Sequence, residues 1–190
     1  MRVIAGVARR TALTAPEGQT TRPTGDRAKE GLFNIISPRL KQARFLDGFA
    51  GSGAIGIEAL SRGAKEAIFI DESQKAAACI SANLIKTRLQ TGATMLKMPF
   101  RTAINSLPAT PFDIIFLDPP YDENSLLLSE SIAIIMKKNL LAHDGLLIAE
   151  NKTDAGPPEI PPLSLTMTRK YGQAYFLFYE NNIQINEDEV

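Results

Sequence analysis

Short apolar runs that end in an acid recur along the chain, and this rhythm constrains the fold more than any other feature. Phe45-Leu46 leads into Asp47, Ala67 to Ile70 into Asp71, Ile114 to Leu117 into Asp118, and Leu146 to Ala149 into Glu150; Met95-Leu96 is a shorter run with no acid. Runs of this length and composition suit strands buried on both faces. Between them, Ala54 to Arg62 stopped by Gly63, Gln74 to Leu89 capped by Ser73, and Ser125 to Lys138 read as helices. Alternating βα units predict a parallel sheet covered by helices on both sides. Ligands of such sheets bind beyond the carboxyl ends of the strands, where these acids stand.

Both ends of the chain add to that pattern. Arg2 to Leu13 alternates loosely and predicts a small hairpin or arm; Pro16, Gly18 and Pro23 then break the chain. Ala28, Leu32, Ile35 and Ile36 predict a helix over about Asp26 to Ile36, with Thr24 or Asp26 as its cap and Pro38 just beyond. Asp154 to Pro162 reads as a stiff linker, and Leu163 to Thr168 and Ala174 to Tyr179 as two strands joined by a turn at Lys170-Tyr171-Gly172-Gln173. The expectation is a Rossmann-like α/β fold, a seven-stranded, mostly parallel sheet with one antiparallel strand from a C-terminal hairpin. A length of 190 residues fits one domain over 1–180, with a basic N-terminal extension over about 1–40 and an acidic, disordered tail at 181–190.

Composition narrows the chemistry. No apolar run approaches a membrane span, and the first residues lack a signal-type core, so a cytoplasmic protein is expected. A lone cysteine, Cys79, excludes an internal disulfide, and with His143 as the one histidine a zinc site is not expected. Spacing puts Cys79 mid-helix in the core and His143 on the surface. The 21 Lys and Arg balance 21 Asp and Glu, yet Arg2, Arg9, Arg10, Arg22 and Arg27 crowd the start while Glu187, Asp188 and Glu189 end the chain. That asymmetry suits either a polyanion bound near the N-terminus or a solvated charged face.

Asp47-Gly48-Phe49-Ala50-Gly51-Ser52-Gly53-Ala54-Ile55-Gly56 joins the first strand to the next helix. Gly51, Gly53 and Gly56 satisfy G-x-G-x-x-G, and Asp71 follows Gly51 by twenty residues, the spacing of a carboxylate that grips ribose hydroxyls. The pattern alone fits NAD, S-adenosylmethionine or a purely structural turn. Asp47 tilts the choice, because an acid ahead of the glycines repels a pyrophosphate and suits a ligand that carries an ammonium and a sulfonium.

Asp118-Pro119-Pro120-Tyr121 closes the most apolar strand. Two prolines fix the backbone and remove two donors, leaving carbonyls free to accept hydrogen bonds. The Tyr121 ring offers a platform for an unpaired base. An aromatic amine is a poor nucleophile because its lone pair is delocalised. Accepting its N–H groups at the Asp118 carboxylate and the Pro119 carbonyl aims that lone pair at a methyl donor and meets the charge that develops on nitrogen.

With these motifs in place, the sequence resembles the class I methyltransferases that carry an Asp/Asn-Pro-Pro-Tyr motif and, among them, the RsmD family, which modifies guanine N2 in bacterial 16S ribosomal RNA. The resemblance runs from Met1 to about Glu180. Its markers are Met1 to Gly6, Arg22-Pro23-Thr24-Gly25-Asp26-Arg27 running into Leu32-Phe33-Asn34, Phe49 to Ala64, Asp118 to Tyr121 and Lys170 to Gln173. It implies S-adenosylmethionine held by Asp47, Phe49, Ala50, Gly51, Ser52 and Gly53, with Asp71 and Glu72 beside the ribose. It also implies Asp118, Pro119, Pro120 and Tyr121 at the target amine; Arg22, Thr24 and Arg27 are expected to line the cleft against cofactor or RNA, unless they only cap and decorate a helix. The family's usual glutamate after strand two is Asp71 here, and Arg101-Thr102-Ala103 stands where its acid after strand three is expected. The implied partner is 16S ribosomal RNA, naked or within an assembling small subunit, with no metal and no membrane. Rival readings are an amino methyltransferase of the same fold acting on DNA adenine or a protein amide, an NAD-dependent oxidoreductase, for which no catalytic His or Tyr-Lys pair is found, and an RNA-binding module without catalysis.

Overall fold

The computed structural model describes residues 1–16, 25–120, 126–151, 158–172 and 174–181. Gly18, Arg22, Pro23, Thr24, Tyr121, Ser125, residues 154–157 of the expected linker, Gln173 and residues 182–190 of the expected tail lie outside them.

Five parallel strands form in the expected places: β1 (Arg44–Gly48), β2 (Glu66–Ile70), β3 (Ala93–Leu96), β4 (Phe112–Leu117) and β5 (Leu141–Asn151). A hairpin of β6 (Leu163–Tyr171) and β7 (Ala174–Asn181) follows, giving one seven-stranded sheet in the order β3-β2-β1-β4-β5-β7-β6. β7 pairs antiparallel with both neighbours, so it alone runs against the rest. The order reverses between β1 and β4, which pair side by side from Phe45↔Ile114 to Gly48↔Leu117. A crevice opens at such a switch point because the connections leave in opposite directions.

Two layers of helix cover the sheet. α1 (Asp26–Leu40), α2 (Ala54–Ser61) and α3 (Gln74–Thr87) pack one core with Phe45, Phe69, Phe116, Ile148 and Phe176. The opposite core joins α4 (Phe100–Ser106) and α5 (Leu126–Lys137) to Leu46, Ile115, Leu117 and Leu147. Strand residues alternate between the two cores, as period-two geometry requires. The N-terminal arm closes as a hairpin on an antiparallel Arg2↔Ala12 bridge, and buries Val3, Ala8 and Leu13 against the first core.

Several boundaries differ from the expectations. α1 runs on to Leu40 with Pro38 inside, because burial of Ile36 and Leu40 one turn apart outweighs one lost hydrogen bond near the helix end. Gly25 is its N-cap; Asp26, offered above as a cap, bonds Arg2 instead. Ser73 does cap α3, accepting from Ala76 N–H, but the helix stops two residues early, where Arg88 turns left-handed at φ 60°. β5 starts five residues before Leu146, so His143, on the surface as expected, is an exposed strand residue. Lys170 and Tyr171 belong to β6, since Tyr171 pairs with Ala174 and shortens the turn. Helix α4, where the spacing was read only as a stretch without an acid, begins at Phe100, with three residues between it and the third strand.

Candidate active site

The expected acids converge because they share one sheet face. On β1 Phe45 and Leu46 enter opposite cores, so Asp47 falls on the α1–α3 side; the same alternation through Ala67 and Phe69, Ile114 and Phe116, and Leu146 and Ile148 places Asp71, Asp118 and Glu150 there too. The ladder continues one residue past the strands, with Asp71 N–H on Leu96 O at 3.3 Å and Asp118 N–H on Gly48 O at 3.4 Å. All four acids line one open cleft of about 2280 Å³, together with Phe49, Ala50, Gly51, Ser52, Glu72, Pro119 and Pro120. Gly53, also expected at the cofactor, is buried behind that wall as the N-cap of α2.

The glycine turn shows why each small residue is there. Gly53 caps α2 at φ 73°, a left-handed conformation that side chains disfavour. Gly56 lets α2 approach β2 closely, since a Cβ there would lie 2.4 Å from the Phe69 ring. Its N–H donates to Asp47 Oδ2 at 2.8 Å. Asp71 braces the turn from the next strand: Oδ2 accepts from Gly51 N–H and Oδ1 from Ser73 N–H, both at 2.8 Å. Each carboxylate oxygen keeps a lone pair for a ligand.

Asp47 is 1% exposed. Burial, reinforced by the negative charges of Asp118 and Asp71 and opposed by the Gly56 hydrogen bond, pushes its carboxyl pKa up to about 8. A buried carboxyl with a single backbone donor is under-compensated, and a cation brought against it would restore the charged form. That fits the ammonium of S-adenosylmethionine. Phe49, at φ 62°, stacks on Phe100 of α4 with centroids 4.7 Å apart, giving the cleft a flat apolar wall below the end of β3. The resemblance marked Phe49 but not Phe100. An aromatic wall stands where the family's acid was expected, beside exposed Arg101.

A buried ionic network ties the arm to this turn. Glu58 of α2 and Lys29 of α1 are both fully buried, 3.3 Å apart. Glu58 also accepts from Ile4 N–H at 2.7 Å, Ala5 N–H at 2.9 Å and Arg62 Nε at 2.8 Å, while Lys29 donates to Arg2 O at 2.6 Å. Burial lowers the Lys29 pKa, and Glu58 opposes that shift. Asn83 of α3 adds a second tie, donating to Ser52 O at 2.9 Å and Thr14 O at 3.0 Å. Cys79 is buried nearby, as expected, and donates to Thr14 O. Met1 thereby becomes part of the cleft wall. Nothing in the spacing of Lys29, Glu58 and Asn83 advertises these partners, which lie on separate elements.

Among the described residues, cations reach the cleft from four places: Arg27 on α1, Arg101 on α4, Lys137 and Lys138 at the end of α5, and Lys170 over the Tyr175 ring at 4.6 Å. Arg9 and Arg10 are exposed on the arm but do not line it. Among the described residues no group of three or more His, Cys, Asp or Glu is placed to hold a metal ion, and no helix is long and apolar enough to cross a membrane.

Strand order, switch-point cleft and converging acids define the class I methyltransferase fold. A family model, "Conserved hypothetical protein 95", matches residues 1–180. The chain is 39% identical over 184 residues to the "Putative rRNA methyltransferase YlbH" of Bacillus subtilis, covering 95% of this chain and 98% of that one. It is 35% identical over 191 residues to the "Ribosomal RNA small subunit methyltransferase D" of Escherichia coli strain K12, covering 99% and 93%. The solved structure "Putative methyltransferase yhhF from Escherichia coli" superposes with a TM-score of 0.85 at 34% identity, covering 97% of this chain and 99% of that one. The chain belongs to this family, the RsmD methyltransferases.

Proposed function

We propose that this protein transfers a methyl group from S-adenosylmethionine to the exocyclic N2 of a guanine in 16S ribosomal RNA, in the cytoplasm. The observation that supports the reading is the pairing of β1 with β4, which brings Asp47 and, two positions beyond the residue opposite it, Asp118 into one cleft; the first suits a cation and the second an amine. The small-subunit RNA target rests on the E. coli relative's name and on the basic groups that line the cleft.

S-adenosylmethionine, when bound, supplies an electrophilic methyl group on its sulfonium. Asp47 holds the ammonium end, Asp71 and Glu72 face the ribose, and Phe49 with Phe100 covers the flat base. Asp118 and the Pro119 carbonyl accept the two N–H bonds of the target amine, turn its lone pair toward the methyl, and stabilise the positive charge that grows on nitrogen. Pro120 fixes the carbonyl's direction and Tyr121 stacks on the base. A base paired in a duplex is out of reach, so the target nucleotide is unpaired or flipped.

Radiolabelled S-adenosylmethionine offered with undermodified 16S ribosomal RNA, with small subunits, with DNA and with protein tests the reading. Label at guanine N2 of the RNA is expected. Label only in DNA adenine or in protein would move the enzyme to a different substrate class, and no binding of S-adenosylmethionine would end the proposal.

A further inference from the structure

Beside Asp118 stands a second carboxylate that the transfer step leaves unused. Leu117 pairs with Ala149 in the parallel β4–β5 ladder, so Asp118 and Glu150 occupy the next positions on adjacent strands. Strands lie about 4.8 Å apart, and alternation sends both side chains to the same face. Glu150 is only 7% exposed, yet that fraction opens into the cleft. Its nearest neighbours along the strand on this face, Leu146 and Ile148, are apolar core residues. A carboxylate in such a position is costly to bury unless polar partners meet it.

Resting on the reading that a guanine amine is the acceptor, we propose that Glu150 selects the base by accepting a hydrogen bond from guanine N1–H. Guanine presents N1–H and the 2-amine as adjacent donors along one edge, and two neighbouring carboxylates match that pair. Adenine sets a lone pair at N1 beside its amine, which a carboxylate repels. Asp118 and Pro119 therefore accept an amine from either base, and Glu150 distinguishes them. A carboxylate offers about four acceptor positions, so Glu150 serves the base while keeping hydrogen bonds to the protein.

The test uses 2,6-diaminopurine, which keeps the 2-amine but carries a lone pair at N1. Two substrate RNAs are compared, one with guanine and one with diaminopurine at the target position. The wild-type enzyme should favour guanine by roughly 10²-fold in kcat/KM, as expected when a site built for an N–H meets an analogue without it. Glu150→Gln, whose amide can donate to the diaminopurine N1, should bring the ratio to about one or below. Glu150→Ala should lose guanine activity and keep the diaminopurine rate, so its ratio falls as well. The ratio does not depend on how much of a variant is folded, and S-adenosylmethionine affinity should not change. A ratio unaltered in both variants, or a wild type indifferent to the two bases, overturns the role of Glu150 alone. A wild type that methylates no RNA guanine overturns the functional reading and this inference with it.

Discussion

Binding of S-adenosylmethionine should release a proton, and the source is Asp47. With a carboxyl pKa of about 8, Asp47 is more than roughly nine-tenths protonated at pH 6.5, where a ligand α-amino group with an ordinary pKa of about 7.7–8.0 is charged. Placing that ammonium against the carboxyl drives it to the ionised form, so about one proton leaves per cofactor bound. At pH 9 the balance inverts, because Asp47 is already ionised and the free ligand's amine is mostly neutral; binding then takes up a proton. Calorimetry in two buffers of different ionisation enthalpy reads both signs. Asp47→Asn keeps an acceptor for Gly56 N–H but has no proton to lose. Its binding heat at pH 6.5 should be independent of buffer, and its affinity about 10- to 100-fold lower for want of a charged hydrogen-bond partner. The same shift fixes the stability of the free protein. A carboxyl whose folded pKa is raised stabilises fully below its ordinary value of 3.8, and that contribution is lost as pH rises through about 8. Above pH 8, therefore, the unliganded Asn variant should melt higher than the wild type. Wild-type binding heats that do not vary with buffer at pH 6.5 would refute the assignment of Asp47 to the ammonium.

Asp118→Ala should lose on the order of 10²–10³ in turnover at near-normal cofactor affinity, with Asp118→Asn milder because its carbonyl still accepts; normal turnover in the Ala variant removes Asp118 from the chemistry. Tyr121→Phe should stay active while Tyr121→Ala weakens RNA binding by about 1–3 kcal/mol of stacking, and the reverse order of activities would exclude a ring-face role. Glu58→Gln leaves Lys29 buried without its counter-charge and should cost about 3–5 kcal/mol, a fall in Tm of roughly 6–20 °C for a chain of this size, with hydrogen exchange rising first at Ile4 and Ala5; a change below about 1 °C would mean the network is not stabilising. RNA affinity should fall with salt by a slope of roughly −0.7 per phosphate contact. Replacing Arg9 and Arg10 together should flatten that slope if the arm touches RNA, and an unchanged slope would leave the contacts to Arg27, Arg101, Lys137, Lys138 and Lys170 around the cleft.

Local pattern was enough for the order of the strands, most helices, the glycine turn and the place of Asp118 at the end of β4. Apolar run length, turn glycines and capping residues act within a few positions, and those forces are written directly along the chain. Alternation was legible too, and it explains why acids read off four separate strand ends face the same side. Helix ends were less legible: Pro38 inside α1 and the early stop at Arg88 reflect what each helix packs against, not its own propensity. What required the tertiary structure was every relation between distant segments. Only the pairing of β1 with β4 and of β4 with β5 brings Asp47, Asp118 and Glu150 together, and only full burial among neighbouring acids raises the Asp47 pKa. The Phe49–Phe100 stack and the Lys29–Glu58 pair join residues that lie 51 and 29 positions apart in the sequence, so no short window contains both partners. Desolvation and close packing depend on what surrounds a group on all sides, and those neighbours exist only once the sheet has assembled.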